Sequence, residues 1–201
     1  GLLPDGNCLA VSLHQHSAYS AMPLLSLSIG HMPNLLDGFE TLPAAEKNDL
    51  CRIISQTGME IPGAAAILEK LQTDESQSVR VSAAVAAAMN DLPLAMADLT
   101  EPEAHHALFN VVNRLNVDAW QIVESSKFTP GQYAEALRMA NAAYNLQSIL
   151  HPELQSSVTG IENTLGVALY RNEQYEKAIL ILQKSIELVG ENPADVGYLS
   201  L

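Results

Sequence analysis

The sequence has few basic residues, few aromatic residues and only two cysteines. Its 201 residues include 10 Lys and Arg against 23 Asp and Glu, which gives a formal net charge of −13. Proteins that bind nucleic acids neutralise phosphates with a basic surface, and anionic membranes attract basic segments in the same way. The charge balance therefore disfavours both nucleic acid and a membrane surface as partners of this chain.

Features typical of secreted proteins are also scarce. Cys8 and Cys51 form no Cys-x-x-Cys motif, and the chain has no Asn-x-Ser/Thr glycosylation site. A disulfide framework is excluded, whereas a single bridge between the two cysteines depends on a geometry that the sequence does not give. Both absences favour a reducing compartment, so we expect a cytoplasmic protein.

The first part of the chain lacks charged residues. Between Asp5 and Asp37 there is no Asp, Glu, Lys or Arg for 31 residues. A membrane span needs about 20 mainly apolar residues, but this stretch contains three histidines and two prolines and has no basic flank. We interpret residues 1–43 as a weakly patterned helical segment, with a spanning or signal segment as the less favoured alternative.

Motifs for catalysis or for nucleotide and metal binding are absent. The chain contains no GxxxxGK[ST] or GxGxxG loop, no HExxH and no GxSxG. The adjacent His105 and His106 would point about 100° apart on a helix, which is poor geometry for shared metal ligation. We therefore expect no catalytic residue, no cofactor and no metal. A soft-metal site at Cys8, His14 and His16, or a Cys–His dyad, is the less favoured alternative.

What the chain has in abundance is alanine and leucine. It contains 26 Ala and 29 Leu against 12 Val and 11 Ile, and Ala and Leu are strong helix formers whereas strands prefer β-branched residues. Apolar periodicity and capping signals predict an all-α protein of nine or so short helices. The predicted helices include 44–57, 63–71, 79–89, 102–115, a helix capped by Asp118, 132–150, 160–171 and 174–189.

Two stretches near the C-terminal end align at a constant offset of 42 residues. The aligned pairs are Trp120 with Glu162, Gly131 with Glu173, Tyr133 with Tyr175, Ala136 with Ala178, and Ala143 with Ser185. In the second stretch, Gly166 and Ala178 are small where two antiparallel helices would cross closely, and Tyr175 covers the turn between them. This stretch closely resembles a tetratricopeptide repeat (TPR).

The earlier stretch departs from the TPR pattern, because Glu124 stands where the motif prefers a small residue. In the TPR fold, the first helix of each pair lines a concave surface. That resemblance implies a partner-binding groove formed by Gln121, Ser125, Asn163, Val167, Tyr170 and Arg171. It also implies interhelical packing by Trp120, Tyr133, Ala136, Leu165, Gly166, Tyr175 and Ala178. For Trp120, an exposed anchor for a partner is the less favoured alternative.

One TPR variant grips the C-terminal carboxylate of a peptide with Lys, Asn and Arg side chains. Here Asn163 is present, but Val167 and Ser125 stand where that clamp needs hydrogen-bond donors. We therefore expect an extended or helical peptide in the groove and no carboxylate clamp. The terminal residues 198–201 resemble the beginning of a third repeat, so we expect the chain to be a piece of a longer protein.

An upstream stretch resembles a HEAT repeat. Asp74 in a turn precedes the Val79–Arg80 pair, and an alanine run from 83 to 88 follows. Arg80 in the first helical turn could reach Asp74, while the alanines allow tight stacking of helices. The sequence therefore predicts an α-solenoid of antiparallel helix pairs, with a segment 1–43, a HEAT-like region 44–117 and TPR-like repeats 118–201.

This order of repeats also resembles parts of large multidomain bacterial proteins, notably of planctomycetes. We expect a non-catalytic protein–protein interaction scaffold that binds a partner protein or peptide, or other domains of the same full-length chain. The alternative is an accessory helical region of a larger enzyme, such as a bacterial serine/threonine protein kinase or a sulfatase-modifying-enzyme-like protein.

Overall fold

A computed structural model describes residues 38–95, 98–155, 157–158 and 160–189, without the side chains of Met59, Leu188 and Val189. The chain divides into two units, Gly1–Thr41 and Leu42–Leu201. Within the first unit, the described residues form a short 3-10 helix, Phe39–Thr41. The predictions for the uncharged segment, for Cys8, His14 and His16, and for residues 198–201 lie outside the described residues.

The described residues of the second unit are helical and include no strand, which confirms the predicted all-α class. The helices are α1 (Ala44–Thr57), α2 (Ala64–Leu71), α3 (Gln77–Met89), α4 (Pro102–Val123), α5 (Pro130–Gln147), α6 (Pro152–Gln155), α7 (Ile161–Arg171) and α8 (Tyr175–Val189). Over the ranges described, none of these helices is both long and apolar enough to cross a membrane.

Several helix ends lie at glycines that the sequence marks as boundaries. Gly58 ends α1 with a φ of 70°, and Gly63 and Gly160 precede α2 and α7 with φ values of 79° and 78°. These positive φ values lie in the left-handed region, where glycine has no steric penalty. The predicted boundaries at these three positions are confirmed.

Helix α4 differs from its prediction. The sequence predicts a break between Leu115 and Asp118, whereas the structure has one helix of 22 residues, Pro102–Val123. The Asp118 carboxylate does not cap a helix but accepts a hydrogen bond from Arg114 Nε at 2.9 Å, one turn earlier. Buried residues continue at helical spacing through this region (Leu108, Val112, Ala119 and Val123). The predicted boundary between residues 117 and 118 falls inside this helix.

Contacts between helices connect α1 to α3, α3 to α5 and α5 to α7. Helix α2 packs on α3, α4 packs on both α5 and α7, and α8 packs on α7. One buried cluster lies mainly between α3, α4 and α5, and a second lies between α4, α5, α7 and α8. Helix α7 therefore packs against α4, α5 and α8, and this packing buries most of its residues.

A hydrogen-bonded corner occurs twice in this unit, at the ends of α3 and α7. Asn90 Nδ2 donates to the carbonyl four residues earlier at 2.8 Å and to Ile54 O at 3.3 Å. Asn172 Nδ2 donates to the carbonyl four residues earlier at 2.8 Å and to Tyr133 O at 2.9 Å. The residue after each asparagine has a positive φ, 55° and 60° respectively. Each corner thus attaches a helix end to a neighbouring helix.

Candidate binding cleft between α4 and α7

A cleft of about 240 Å³ lies between the C-terminal half of α4 and the start of α7. The residues that line it are Asn116, Val117, Trp120, Gly160, Asn163 and Thr164. None of these six side chains carries a charge, although the chain has a net charge of −13.

Local structure explains how both walls present these residues. On α4, residues 116, 117 and 120 lie within about one turn of each other, so their side chains share one face. At the start of α7, Thr164 Oγ1 donates to Gly160 O at 3.0 Å. This bond and the left-handed conformation of Gly160 hold the first turn of α7, and α7 packs against α4.

The two asparagines of the cleft have unsatisfied polar atoms. The side-chain carbonyl oxygens of Asn116 and Asn163 are buried and have no hydrogen-bond partner. An unsatisfied buried acceptor costs about 1–3 kcal/mol, so a ligand that supplies a partner recovers part of that free energy. Val117, which follows Asn116 and also lines the cleft, is 49% exposed although its side chain is apolar.

Only part of the predicted groove lies at this cleft. Asn163 lines it, and Gln121 is exposed next to Trp120 on α4. Ser125 lies in the turn after α4, where its hydroxyl accepts from Lys127 N at 3.3 Å and its carbonyl accepts from Tyr133 Oη at 2.6 Å. Its polar groups therefore stabilise the turn.

Val167 is a correction to the predicted groove. It has no solvent exposure and belongs to the cluster between α4, α5, α7 and α8. Eight of the eleven residues of α7 are buried, because this helix packs on α4, α5 and α8. Val167 therefore contributes to the core and cannot contact a partner on the surface.

Tyr170 and Arg171 lie at the opposite end of α7 from the cleft. Arg171 Nε donates to Val123 O at 3.0 Å, and its guanidinium lies 5.7 Å from the centre of the Tyr133 ring. Tyr170 contacts the Tyr175 ring edge to face at 5.5 Å. These contacts connect the turn between α4 and α5 to the turn between α7 and α8.

The predicted packing residues lie mostly in the second cluster. Ala136, Leu165 and Ala178 are buried, and a Cβ added to Gly166 would lie 2.5 Å from Leu182 Cγ and Cδ2. Tyr175, however, is 52% exposed. Trp120 packs against the cluster and also lines the cleft, so it combines the packing role with the alternative role of a surface contact.

The histidines and cysteine of the described chain form no recognisable reactive site. His105 Nε2 lies 3.1 Å from Leu99 O, and its ring contacts His151 edge to face at 5.8 Å, so it is not grouped with His106. Among the residues described, no three His, Cys, Asp or Glu are placed to hold a metal. Burial raises the pKa of the Cys51 thiol to about 12, with a further contribution from the charge of Asp74. A protonated buried thiol is a poor nucleophile.

Arg80 reaches Asp74, as the sequence predicts, but through the backbone carbonyl, and the Asp74 carboxylate has other partners. Arg80 Nη1 donates to the backbone carbonyl of Asp74 at 3.2 Å, whereas the carboxylate accepts from Lys47 Nζ at 2.7 Å and from Ser76 N at 2.9 Å. Partial burial opposes ionisation, but the hydrogen bonds from Lys47 and Ser76 and the charges of Lys47 and Arg80 hold the pKa of Asp74 below its ordinary value. Lys47 is 27 residues away, so no local pattern indicates it.

Four residues of the cleft carry no binding signal in the predicted helix pattern. Asn116 and Val117 fall in the break predicted after Leu115, and only a continuous α4 puts them on one face with Trp120. The spacing of Asn116 and Trp120, four residues apart, is the signal that a continuous helix would have provided. Gly160 and Thr164 carry no signal beyond the helix start.

Comparisons with family models, with curated proteins and with solved structures found no match. Any functional assignment therefore depends on the geometry of the cleft and on the packing of the helices around it.

Proposed function

We propose that this chain is a non-catalytic protein–protein interaction scaffold, built as an α-solenoid with HEAT-like helices followed by TPR-like pairs. Its partner is a peptide segment that binds along the surface formed by α4 and α7. In this proposal the groove comprises the cleft residues and Gln121, while Val167 is excluded from it.

The packing of the last four long helices supports the solenoid. Helix α7 contacts both helices of the preceding pair, α4 and α5, and also its own partner α8. Stacked helix pairs build a continuous core in this way, because each pair buries its apolar face against the next. The close approach of Gly166 to Leu182 supports a tight crossing within the second pair.

The observation that carries the binding role is the cleft itself. Its two walls, on α4 and α7, each hold an asparagine with an unsatisfied carbonyl oxygen, and the exposed Val117 lies beside one of them. A surface with apolar area and convergent polar groups is typical of a binding site. The buried free thiol of Cys51 is compatible with the cytoplasmic location that we also propose.

Site-specific photo-crosslinking tests this function. A photoreactive phenylalanine analogue at Val117 should crosslink one partner in cells, and peptide mapping should locate the crosslink in one short segment of it. The matched control is the same analogue at Leu180 on α8, which is 66% exposed and does not line the cleft. Equal crosslinking from both positions, or none from Val117, would contradict the proposal.

A further inference from the structure

The absence of charge in the cleft restricts what it recognises. None of the six lining residues is acidic or basic, so an ion pair with a ligand would have to form outside the cleft. Free carboxylates and basic side chains lose hydration on entering such a site without gaining a charged partner. An uncharged ligand is therefore favoured over a chain terminus or a basic anchor.

The two asparagines match the hydrogen-bonding groups of a peptide backbone. A side-chain amide carries one acceptor and two donors, and rotation about χ2 interchanges their positions. Each amide can therefore complement an N–H or a C=O of a main chain. Asn116 and Asn163 stand on opposite walls, and the carbonyl oxygen of each has no partner in the chain itself.

The size and the apolar wall of the cleft indicate a single side chain. Its volume of about 240 Å³ is smaller than the pockets of about 300–1,000 Å³ that enclose drug-sized ligands. Val117 and Trp120 supply apolar surface on the α4 wall. An aliphatic side chain can contact this wall while the adjoining peptide groups reach the two amides.

We infer that the cleft binds an internal, extended main-chain segment through Asn116 and Asn163, with one uncharged apolar side chain against Val117 and Trp120. This inference rests on the proposed function and adds the chemistry of the partner to it. Affinity then comes from main-chain amides and apolar contact, and it is insensitive to ionic strength because no charge pair is screened by salt.

The sole tryptophan of the chain reports on binding, because Trp120 lines the cleft. The probes are N-acetyl-leucine N-methylamide, its methyl ester, which lacks one N–H, and N-acetyl-leucine as the free carboxylate. Titrations of the 201-residue chain should show fluorescence changes at lower concentrations of the amide than of the ester, by about fivefold. This preference should be unchanged between low and high NaCl.

Substitutions of Asn116 and Asn163 test whether their side-chain amides cause the preference for the N-methylamide probe over the methyl ester. Asn116→Leu or Asn163→Leu, whichever removes the carbonyl oxygen that accepts the N–H missing from the ester, should bring the amide-to-ester ratio close to one while apolar binding is retained. Asn110→Leu, which is exposed on α4 and does not line the cleft, should leave the ratio unchanged. Circular dichroism checks that each variant is folded. Asn163→Asp, which keeps acceptor oxygens for the ligand N–H and loses only the donors, should retain an amide-to-ester ratio well above one.

Three results would overturn the inference: equal binding of ester and amide by the wild-type chain, tighter binding of the carboxylate, or no fluorescence response up to the solubility limit of the amide. These results are separable from a failure of the proposed function. A partner crosslinked at Val117 without an amide preference overturns only the recognition chemistry, whereas an amide preference without a crosslinked partner contradicts the scaffold role.

Discussion

At the scale of single residues, close packing makes some positions intolerant of one additional carbon. Gly166→Ala places a Cβ 2.5 Å from Leu182 Cγ and Cδ2. Alanine normally stabilises a helix interior by about 0.5–1 kcal/mol relative to glycine, but overpacking costs about 1–3 kcal/mol. We expect the free energy of unfolding to fall by about 1–2 kcal/mol, measured by urea denaturation followed by circular dichroism.

The control for this variant is Gly131→Ala in the first turn of α5. No atom lies within 4 Å of a Cβ built at Gly131, so this change should be neutral or stabilise the chain by up to about 1 kcal/mol. If both substitutions had the same effect, the crossing of α7 and α8 would not be as close as described.

The pair between Lys47 and Asp74 predicts a pH dependence of stability. The two side chains are 12% and 14% exposed, and the pKa of Asp74 is lowered in the folded chain. The ionised Asp74 carboxylate therefore contributes its full stabilisation of the folded chain above the unfolded pKa of about 3.9. This stabilisation is lost as the pH falls through the lower folded pKa. Asp74→Asn should cost about 1–3 kcal/mol near pH 7, and the difference from wild type should shrink in acid.

Asp49→Asn provides the comparison, because Asp49 pairs with Arg52 on the surface at 2.8 Å with side chains 31% and 51% exposed. Exposed pairs contribute about 0–1 kcal/mol. Denaturation curves at several pH values compare the two variants. A cost for Asp74→Asn that stays constant down to strong acid would show that the carboxylate charge is not responsible.

At the scale of helices, the stability of a helix end depends on its hydrogen bonds to neighbouring helices. Asn172→Ala removes the donors to Tyr133 O and to the last turn of α7, so we expect the unfolding free energy to fall by about 1–3 kcal/mol. Asn90→Ala should have a similar effect at the end of α3. Thermal and urea denaturation measure both variants.

Asn110→Ala is the matched control for these corners, because Asn110 is exposed within α4. Alanine has the higher helix propensity, so this change should be neutral or slightly stabilising. If Asn110→Ala lowered the free energy of unfolding as much as Asn172→Ala does, the hydrogen bonds of Asn172 and Asn90 would contribute nothing specific.

Helix α4 shows why some boundaries could not be predicted from the sequence. Asp118 is a good N-cap residue, and this local preference predicted a new helix there. The bond from Arg114 and the buried residues on both sides keep the helix continuous instead. Propensity differences between ordinary residues are below about 1 kcal/mol, so burial of one more helical turn outweighs them. The α4 wall of the cleft depends on this continuity, so the predicted break in α4 gives no indication of the cleft.

At the scale of the whole described unit, a few polar side chains connect elements that are distant in sequence. Arg138 on α5 donates to Ser55 O at the end of α1 and to Met89 O at the end of α3. A guanidinium beside helix C-termini also interacts favourably with their dipoles. One side chain thus holds α1, α3 and α5 together.

Two buried glutamines fix the connection between α3 and α4 in the same manner. Gln72 Oε1 accepts from Ala95 N at 2.8 Å, and Gln77 Oε1 accepts from Thr100 N at 2.8 Å and from Glu101 N at 3.0 Å. Both glutamines are at most 8% exposed. The segment was predicted as a loop, but these anchors come from helices earlier in the chain and have no signature within the loop itself.

The sequence by itself determined that the described chain is helical and that glycines mark several helix ends. These features depend on local preferences: alanine and leucine favour helices, and a left-handed turn accepts glycine without strain. The tertiary structure decided that α4 is continuous, that Val167 is buried and that Asn116 faces Asn163 across a cleft. Those outcomes depend on which helices pack together, because burial and hydrogen bonding between distant residues outweigh small local preferences.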